Sequence, residues 1–256
     1  MGILNVTPDS FYDGDRYFDL TAAIKHTEKM VKDGADMIDV GGYSSRPGAD
    51  DISPDEEAKR VVDIIAAIGK EFPGLLISID TFRSEVAKKA LAAGASIIND
   101  ITGGDHDPAL RKLAIEHRAP YIIMHMRGTP KTMTRLTQYD NVVKEVIADL
   151  QKKVHDYQQE GLTDIAIDPG FGFAKNVDQN FGMLRDLEAF AMIDRPLLAG
   201  ISRKSMIWRT LEIKPEEALN GTIALNMVAL MKGADIIRVH DVKEATECVK
   251  LYSRIG

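Results

Sequence analysis

The chain has one cysteine, Cys248, among 256 residues. It cannot close an internal disulfide or furnish a multi-cysteine zinc site, and it fits a reducing compartment. Long apolar runs are missing as well: the apolar stretches are short and strand-like, well below the roughly 20 residues of a membrane-spanning helix. No charged segment followed by an apolar stretch opens the sequence, so no signal peptide is expected and a cytoplasmic location is. Positive charge is not in excess. The 32 Lys and Arg stand against 39 Asp and Glu, a net charge of −7, which argues against a protein that coats nucleic acid or an anionic membrane. There is no HExxH, no GxSxG and no GxxxxGK[ST]. No Pro/Gly/Ser-rich linker or break in composition divides the chain, which implies a single domain over residues 1–256.

What is present is a globular composition, 45% hydrophobic and 28% charged, and a regular alternation. Eight short apolar runs read as strands: Gly2–Val6, Met37–Val40, Leu75–Asp80, Ser96–Asp100, Tyr121–Met126, Ile165–Asp168, Pro196–Ser202 and Asp235–His240. They are continuously apolar, as parallel strands buried on both faces are. The segments between them read as helices: Thr21–Asp33, Pro54–Phe72, Ser84–Ala93, Pro108–Arg118, Val142–Glu160, Asp178–Phe190, Pro215–Lys232 and Val242–Arg254. Ser53 with Glu56 three residues on forms a capping-box pattern, and Asp19 is a candidate cap. Gly34-Ala-Asp, Gly94-Ala-Ser and Gly233-Ala-Asp each end a helix just before a strand. Eight strands alternating with helices in about 250 residues predict an α/β fold, a closed (β/α)8 TIM barrel, rather than an open doubly wound sheet.

In such a barrel the active site lies at the C-terminal ends of the strands. Nearly every run ends in a residue able to do chemistry: Asn5, Asp39, Asp80, Asn99 and Asp100, His125, Asp168, Ser202 with Lys204, and Arg238 with His240. Strand starts carry far fewer. The carboxylates and amide of Asp80, Asn99 and Asp168 suit a flat heterocycle whose amidine-like edge gives parallel N–H bonds. Arg238 and His240, two apart on one strand, point the same way, and with Arg46 and Asn5 they form an anion corner. A two-ended ligand follows, a heterocycle at one end and a phosphate-like group at the other. Several of these residues also have plain structural readings. Asp80 suits a helix cap, Asp168 before Pro169-Gly170 suits a turn, and His125 between Met124 and Met126 suits a core histidine. Cys248 on the last helix reads as inert packing.

Two loops, Thr7–Tyr17 and Gly41–Gly48, have the glycine and proline punctuation of lids over the barrel mouth. The acids Asp13, Asp15 and Asp19 do not fit a calcium loop. Magnesium needs less, because one or two protein oxygens with substrate phosphates suffice, and Asn5 beside a diphosphate meets that requirement.

Taken in order, the segments Gly2-Ile-Leu-Asn-Val-Thr-Pro-Asp-Ser-Phe11, Asp39-Val-Gly-Gly-Tyr-Ser-Ser-Arg-Pro-Gly48, Ser78-Ile-Asp-Thr81, Ile98-Asn-Asp100, Met124-His-Met-Arg-Gly128, Asp168-Pro-Gly-Phe-Gly-Phe173, Gly200-Ile-Ser-Arg-Lys-Ser205 and Arg238-Val-His-Asp-Val242 resemble the dihydropteroate synthase family. The resemblance runs from residue 2 to about residue 245. It implies a transferase that joins 4-aminobenzoate to 6-hydroxymethyl-7,8-dihydropterin diphosphate, giving 7,8-dihydropteroate and pyrophosphate in folate biosynthesis. It further implies that Asp80, Asn99, Met124, Asp168 and Lys204 hold the pterin, and that Asn5, Arg46, Arg238 and His240 bind the diphosphate. Ser45, Pro47, Phe173, Ser202 and Arg203 would frame the 4-aminobenzoate, whose carboxylate would meet the N-terminus of the helix after the seventh strand. Catalysis would rest on Asp80, Asp168, Lys204, Arg238 and His240, with Mg2+ as cofactor on Asn5. The partners implied are the two small-molecule substrates and a second copy of the chain in a homodimer; nucleic acid and membrane are not among them. Departures from the family pattern are Tyr12 and Asp15 in the first loop, Ser45 before Arg46, Arg127, and Ala174 after Phe173.

Three other readings remain at this point. A methyltetrahydrofolate–corrinoid methyltransferase would share the logic of Asp80, Asn99 and Asp168, but it would not need the first loop or the Ser202–Ser205 step. A non-catalytic pterin-binding paralogue should have lost ligands such as Asn5, Arg46, Arg238 and His240. A Schiff-base aldolase would use Lys204.

Overall fold

The computed structural model describes residues 1–6, 20–44 and 51–255. Its strands are β1 (Gly2–Asn5), β2 (Met37–Gly41), β3 (Leu76–Asp80), β4 (Ile97–Asp100), β5 (Tyr121–Met124), β6 (Ile165–Asp168), β7 (Leu198–Ala199) and β8 (Ile236–Ile237). Strands β1 to β6 pair in sequence order, every pair parallel, and β7 pairs parallel with β8. Two parallel bridges, Ile167 to Leu197 and Gly2 to Val239, join the pieces. The Ile3 amide donates to the Val239 carbonyl at 2.9 Å and the Ile167 amide to the Pro196 carbonyl at 2.9 Å. The sheet is therefore closed, and the expected (β/α)8 barrel is the observed fold.

The helices are α1 (Leu20–Lys32), α2 (Pro54–Glu71), α3 (Ser84–Ala92), α4 (Ala109–His117), α5 (Val142–Gln159), α6 (Val177–Arg185), α7 (Ser205–Thr210), α8 (Leu219–Met231) and α9 (Val242–Tyr252). Helix α2 starts where its sequence predicts, with the Ser53 half of the expected capping box formed, while the Glu56 carboxylate accepts from Arg60 Nε at 3.3 Å instead. Ser53 Oγ accepts from the Glu56 amide at 3.2 Å, Pro54 opens the first turn, and Asp55, Glu56 and Glu57 complement the exposed amides.

Two helices expected as single segments are split. The segment 178–190 becomes α6 followed by a 3-10 turn over Leu187–Ile193. A repeat of three residues per turn places Leu187, Phe190 and Ile193 on one face, and all three are buried. Helix α6 begins one residue earlier than expected because Asn176 and Gln179 cap each other reciprocally. In the segment 215–232, the turn Pro215–Glu217 stands apart from α8: Glu217 Oε2 accepts from the Lys214 amide at 3.0 Å, closing that turn by itself. The short helix α7 precedes it and was not among the expected helices.

Alternation along each strand sorts side chains between two cores. Val40, Ile79, Ile98, Ile123 and Ile167 lie in the layer between barrel and helices. Met1, Ile97, Ile122 and Leu198, with Met37, Ala166 and Ile236 against them, form a separate cluster. Register puts Asp80 beside Asn99, and Asn99 beside Ile122, on one face. Asp100, one residue on, takes the other face. Its carboxylate accepts from Tyr121 Oη at 2.6 Å and from the Thr102 and Gly104 amides, so it braces a turn rather than the barrel mouth.

Candidate active site

At the C-terminal rim, four side chains from four strand ends form one chain of contacts. Arg238 donates through Nε to Asp39 Oδ2 at 2.6 Å and through Nη2 to Asp80 Oδ2 at 2.7 Å. Asn99 Nδ2 donates to the same Asp39 oxygen at 2.9 Å. Burial pushes the Asp80 carboxyl up, with the negative charges of Asp39 and Glu57 adding and Arg238 opposing, to about 7. Burial works to lower the Arg238 guanidinium, yet the carboxylates of Asp39 and Asp80 carry it above its ordinary value.

Asp168 ends β6, buried, and its Oδ1 accepts from the Gly170 amide at 2.7 Å. Burial raises its carboxyl, against that bond and the nearby Lys204. The turn needs glycine at 170. There φ is +74°, and a Cβ would lie 2.1 Å from the His125 carbonyl oxygen. Lys204 Nζ sits over the Phe173 ring, 4.3 Å from its centroid. Burial, then Arg238, lower the Lys204 ammonium to about 8, with Asp168 and Asp80 opposing. Met124 joins Phe82, Ile101, Met126, Met133, Phe173 and Ala174 in an apolar cluster against which Tyr43 packs. Met124 and Phe173, expected to face the heterocycle and the aminobenzoate, thus share one wall beside Lys204.

His240 and Ser202 are also brought together. Ser202 Oγ accepts from the His240 amide at 3.2 Å and lies 3.0 Å from His240 Nδ1. The hydroxyl keeps a second lone pair, so either group can donate across that contact, and the pair fixes the orientation of the ring. Burial, then Arg238, lower this imidazole to about 4.

Arg203 differs from the other expected contacts. Its guanidinium is bidentate to Asp241, at 2.9 and 2.8 Å, and reaches the Glu216 carbonyl at 2.9 Å. Its backbone is left-handed, φ +55°, a conformation unusual for a residue with a Cβ. The turn is held because the Arg203 amide donates to Thr222 Oγ1 at 3.0 Å. Helix α7 starts at once after Lys204, and no side chain caps it.

His125 is a neutral core histidine. Burial, then the neighbouring Lys175, drive it down to about 2, and its Nδ1 faces Lys175 Nζ at 3.0 Å. Nothing in the sequence singles out Lys175 as a site residue. It is buried, donates to the Gly170 carbonyl at 3.0 Å and the Phe173 carbonyl at 2.9 Å, and so ties the loop after β6 into shape. Its one signal was a lone charge after the run Gly170–Ala174. Glu57 was missed too. Wholly buried, it accepts from Thr81 Oγ1 at 2.6 Å and Arg83 Nη1 at 2.8 Å, bracing the segment after Asp80.

Asn5 ends β1, half-buried, in register with Gly41. Ser45, Arg46, Pro47, Tyr12, the acids Asp13, Asp15 and Asp19, the loop Thr7–Tyr17 and the later part of the loop Gly41–Gly48 lie outside the described residues. Cys248 is buried on α9, as expected for packing.

A closed parallel barrel with acids, an amide and cations gathered at its C-terminal rim has the build of a barrel enzyme, whose sites lie at the strand ends. A sequence model of the family described as pterin binding enzyme matches residues 1–240, and the chain belongs to that family. It is 44% identical over 253 residues to dihydropteroate synthase of Bacillus subtilis (strain 168), covering 98% of this chain and 86% of that relative. Identity is also 44% to dihydropteroate synthase of Escherichia coli (strain K12), with 98% and 89% covered. Among solved structures, Yersinia pestis dihydropteroate synthase with a sulfonamide drug superposes with a TM-score of 0.93 at 38% identity, covering 100% of this chain and 93% of that one. The Xanthomonas albilineans enzyme in complex with 7,8-dihydropteroate gives 0.89 at 33%, covering 100% and 92%.

Proposed function

We propose that the chain is a transferase of folate biosynthesis, condensing 6-hydroxymethyl-7,8-dihydropterin diphosphate with 4-aminobenzoate to 7,8-dihydropteroate and pyrophosphate. The observation that carries this reading is the division of the rim, with Asp80, Asn99 and Asp168 beside Arg238 and His240. The acids and the amide accept N–H bonds from the pterin edge. Lys204 donates to the ring, and Met124 packs on it. Arg238, His240, Arg46 and Asn5 receive the diphosphate. Phe173, Pro47, Ser45 and Ser202 frame the 4-aminobenzoate. Arg203 contributes there by shaping the turn, since its guanidinium is bound to Asp241.

The reaction breaks the bond between the exocyclic methylene and the diphosphate oxygen, the electron pair leaving with the diphosphate. The dihydropterin ring shares the positive charge that develops on the methylene, and the carboxylates of Asp80 and Asp168 lie near it. The aryl amine then gives its lone pair to the methylene and afterwards loses a proton to solvent. Little general-base help is required, which accounts for a site built without a nucleophile triad.

Mg2+ is part of the proposal. Asn5 offers an amide oxygen, a hard donor of the kind Mg2+ prefers, and this ion commonly binds through one or two protein oxygens with substrate phosphates. Among the described residues no group of three His, Cys, Asp or Glu forms a self-sufficient metal cage. The donor set therefore fits an ion that arrives with the diphosphate. When bound, the ion neutralises charge on the departing group.

We also take residues 1–256 as one domain and the chain as cytoplasmic and homodimeric; among the described residues no helix is long and apolar enough to cross a membrane. Helix α8 packs Ile223, Leu225, Met227 and Val228 on the core and leaves Met231 at its end 62% exposed, an apolar tip for a second copy to cover. A mass in sedimentation near twice 28.2 kDa checks that part. The activity is tested by pyrophosphate release with both substrates, omitting 4-aminobenzoate or Mg2+ in turn. Full release requires all three components; release at the same rate without 4-aminobenzoate refutes the condensation.

A further inference from the structure

Asp39 sits beneath the rim with no exposed surface. Its Oδ2 alone takes both the Asn99 amide, at 2.9 Å, and Arg238 Nε, at 2.6 Å. Among the described residues its buried Oδ1 has no hydrogen-bond partner, nor has Oγ of Ser78, its register neighbour on β3. A buried carboxylate so sparsely satisfied costs stability, so its presence needs another account. We propose that Asp39 is a positioning residue for the heterocycle, acting through Asn99 and Arg238; this rests on the pterin reading above.

The argument is one of hydrogen-bond direction. A side-chain amide has an accepting and a donating end, and either could face a ligand. Because Asp39 can only accept, Asn99 must turn Nδ2 down to it, and Oδ1 is left facing away, ready to take an N–H. The same oxygen pins Nε of Arg238, so the guanidinium pivots about a fixed point while Nη2 reaches Asp80. One buried oxygen thereby sets the polarity of the pterin contact on β4 and the reach of the cation after β8. Among the described residues assigned to the 4-aminobenzoate, Phe173, Ser202 and Arg203, none hydrogen-bonds to Asp39.

The test compares Asp39→Asn, whose carbonyl can still accept both bonds, with Asp39→Val, which accepts neither. Asp39→Val is expected to raise the KM for the pterin diphosphate about tenfold or more, the scale of a lost charged hydrogen bond. The KM for 4-aminobenzoate should stay within about twofold, and Asp39→Asn should recover most of the loss. A second readout is the pH profile of pterin binding. Asp80 faces Arg238, Asp39, Glu57 and Lys204; removing the Asp39 charge in Asp39→Asn lowers the Asp80 carboxyl, so the acid limb moves to lower pH. That measurement decides the matter should Asp39→Val fail to fold. Equal rises in both KM values, an Asp39→Asn variant as damaged as Asp39→Val, or an unmoved acid limb would each overturn the proposal. A wild-type chain that releases no pyrophosphate sinks the functional reading itself, and this is seen before either variant is made.

Discussion

Asp80 and Lys204 carry insecure charges at the rim, because burial disfavours the ionised form of each. In the ligand-free protein Asp80 takes up a proton as pH falls through about 7 and Lys204 loses one as pH rises through about 8. Pterin affinity is therefore expected to be greatest in a narrow range near those values and to weaken on both sides, which a fluorescence titration across pH will follow. Stability has its own sign. The folded Asp80 pKa lies above its unfolded value, so the folded chain keeps a proton that the unfolded chain has released between about pH 4 and about 7. Its favourable contribution is lost as pH rises through about 7. Asp80→Asn should flatten that part of the curve of melting temperature against pH. The same variant should lower turnover by about 10²–10³, the scale of one misplaced electrostatic group, while the barrel stays folded. An unchanged turnover would remove Asp80 from the catalytic set.

At the scale of elements, the loop after β6 shows how a strand end becomes a fixed site. Asp168 accepts from Gly170, Gly170 takes a left-handed turn against the His125 carbonyl, and Lys175 gathers the carbonyls of Gly170 and Phe173. Gly170→Ala forces both a strained φ and a backbone clash; a loss of roughly 2–4 kcal/mol is expected, read from the urea midpoint. The sequence foretold Asp168, Phe173 and the turn, since the Pro-Gly pair and the strand end are local signals. It did not foretell Lys175, because nothing in a single lysine says that it will be buried among carbonyls supplied by its own loop. Similar limits explain the split helices. The apolar spacing in 178–190 and 215–232 fits one helix each, and only packing reveals that Leu187, Phe190 and Ile193 need a tighter turn. Asp39 was visible as a strand-end acid, yet its work depends on side chains 60 and 199 positions away.

Across the whole molecule, eight strands and a polar rim were legible because a parallel barrel writes both into the order of the chain: apolar runs for buried strands, then chemistry where each run stops. What the order could not reveal is how unevenly the cylinder is sewn. Six staves are laced by full ladders, whereas the short pair β7–β8 meets β6 and β1 through isolated bridges, with the Met1 amine and the Ile3 and Val239 amides bonding across the β1 seam. Ser202, Lys204, Arg238 and His240 follow its two strands. Deuterium should enter the amides along the two seams, at Ile3, Ile167 and Val239, before it enters Val40 or Ile79 inside the laced region. Arg238, bonded to both Asp39 and Asp80, is the strap that holds this panel to the laced half, so removing that side chain should loosen the seams as well as the site.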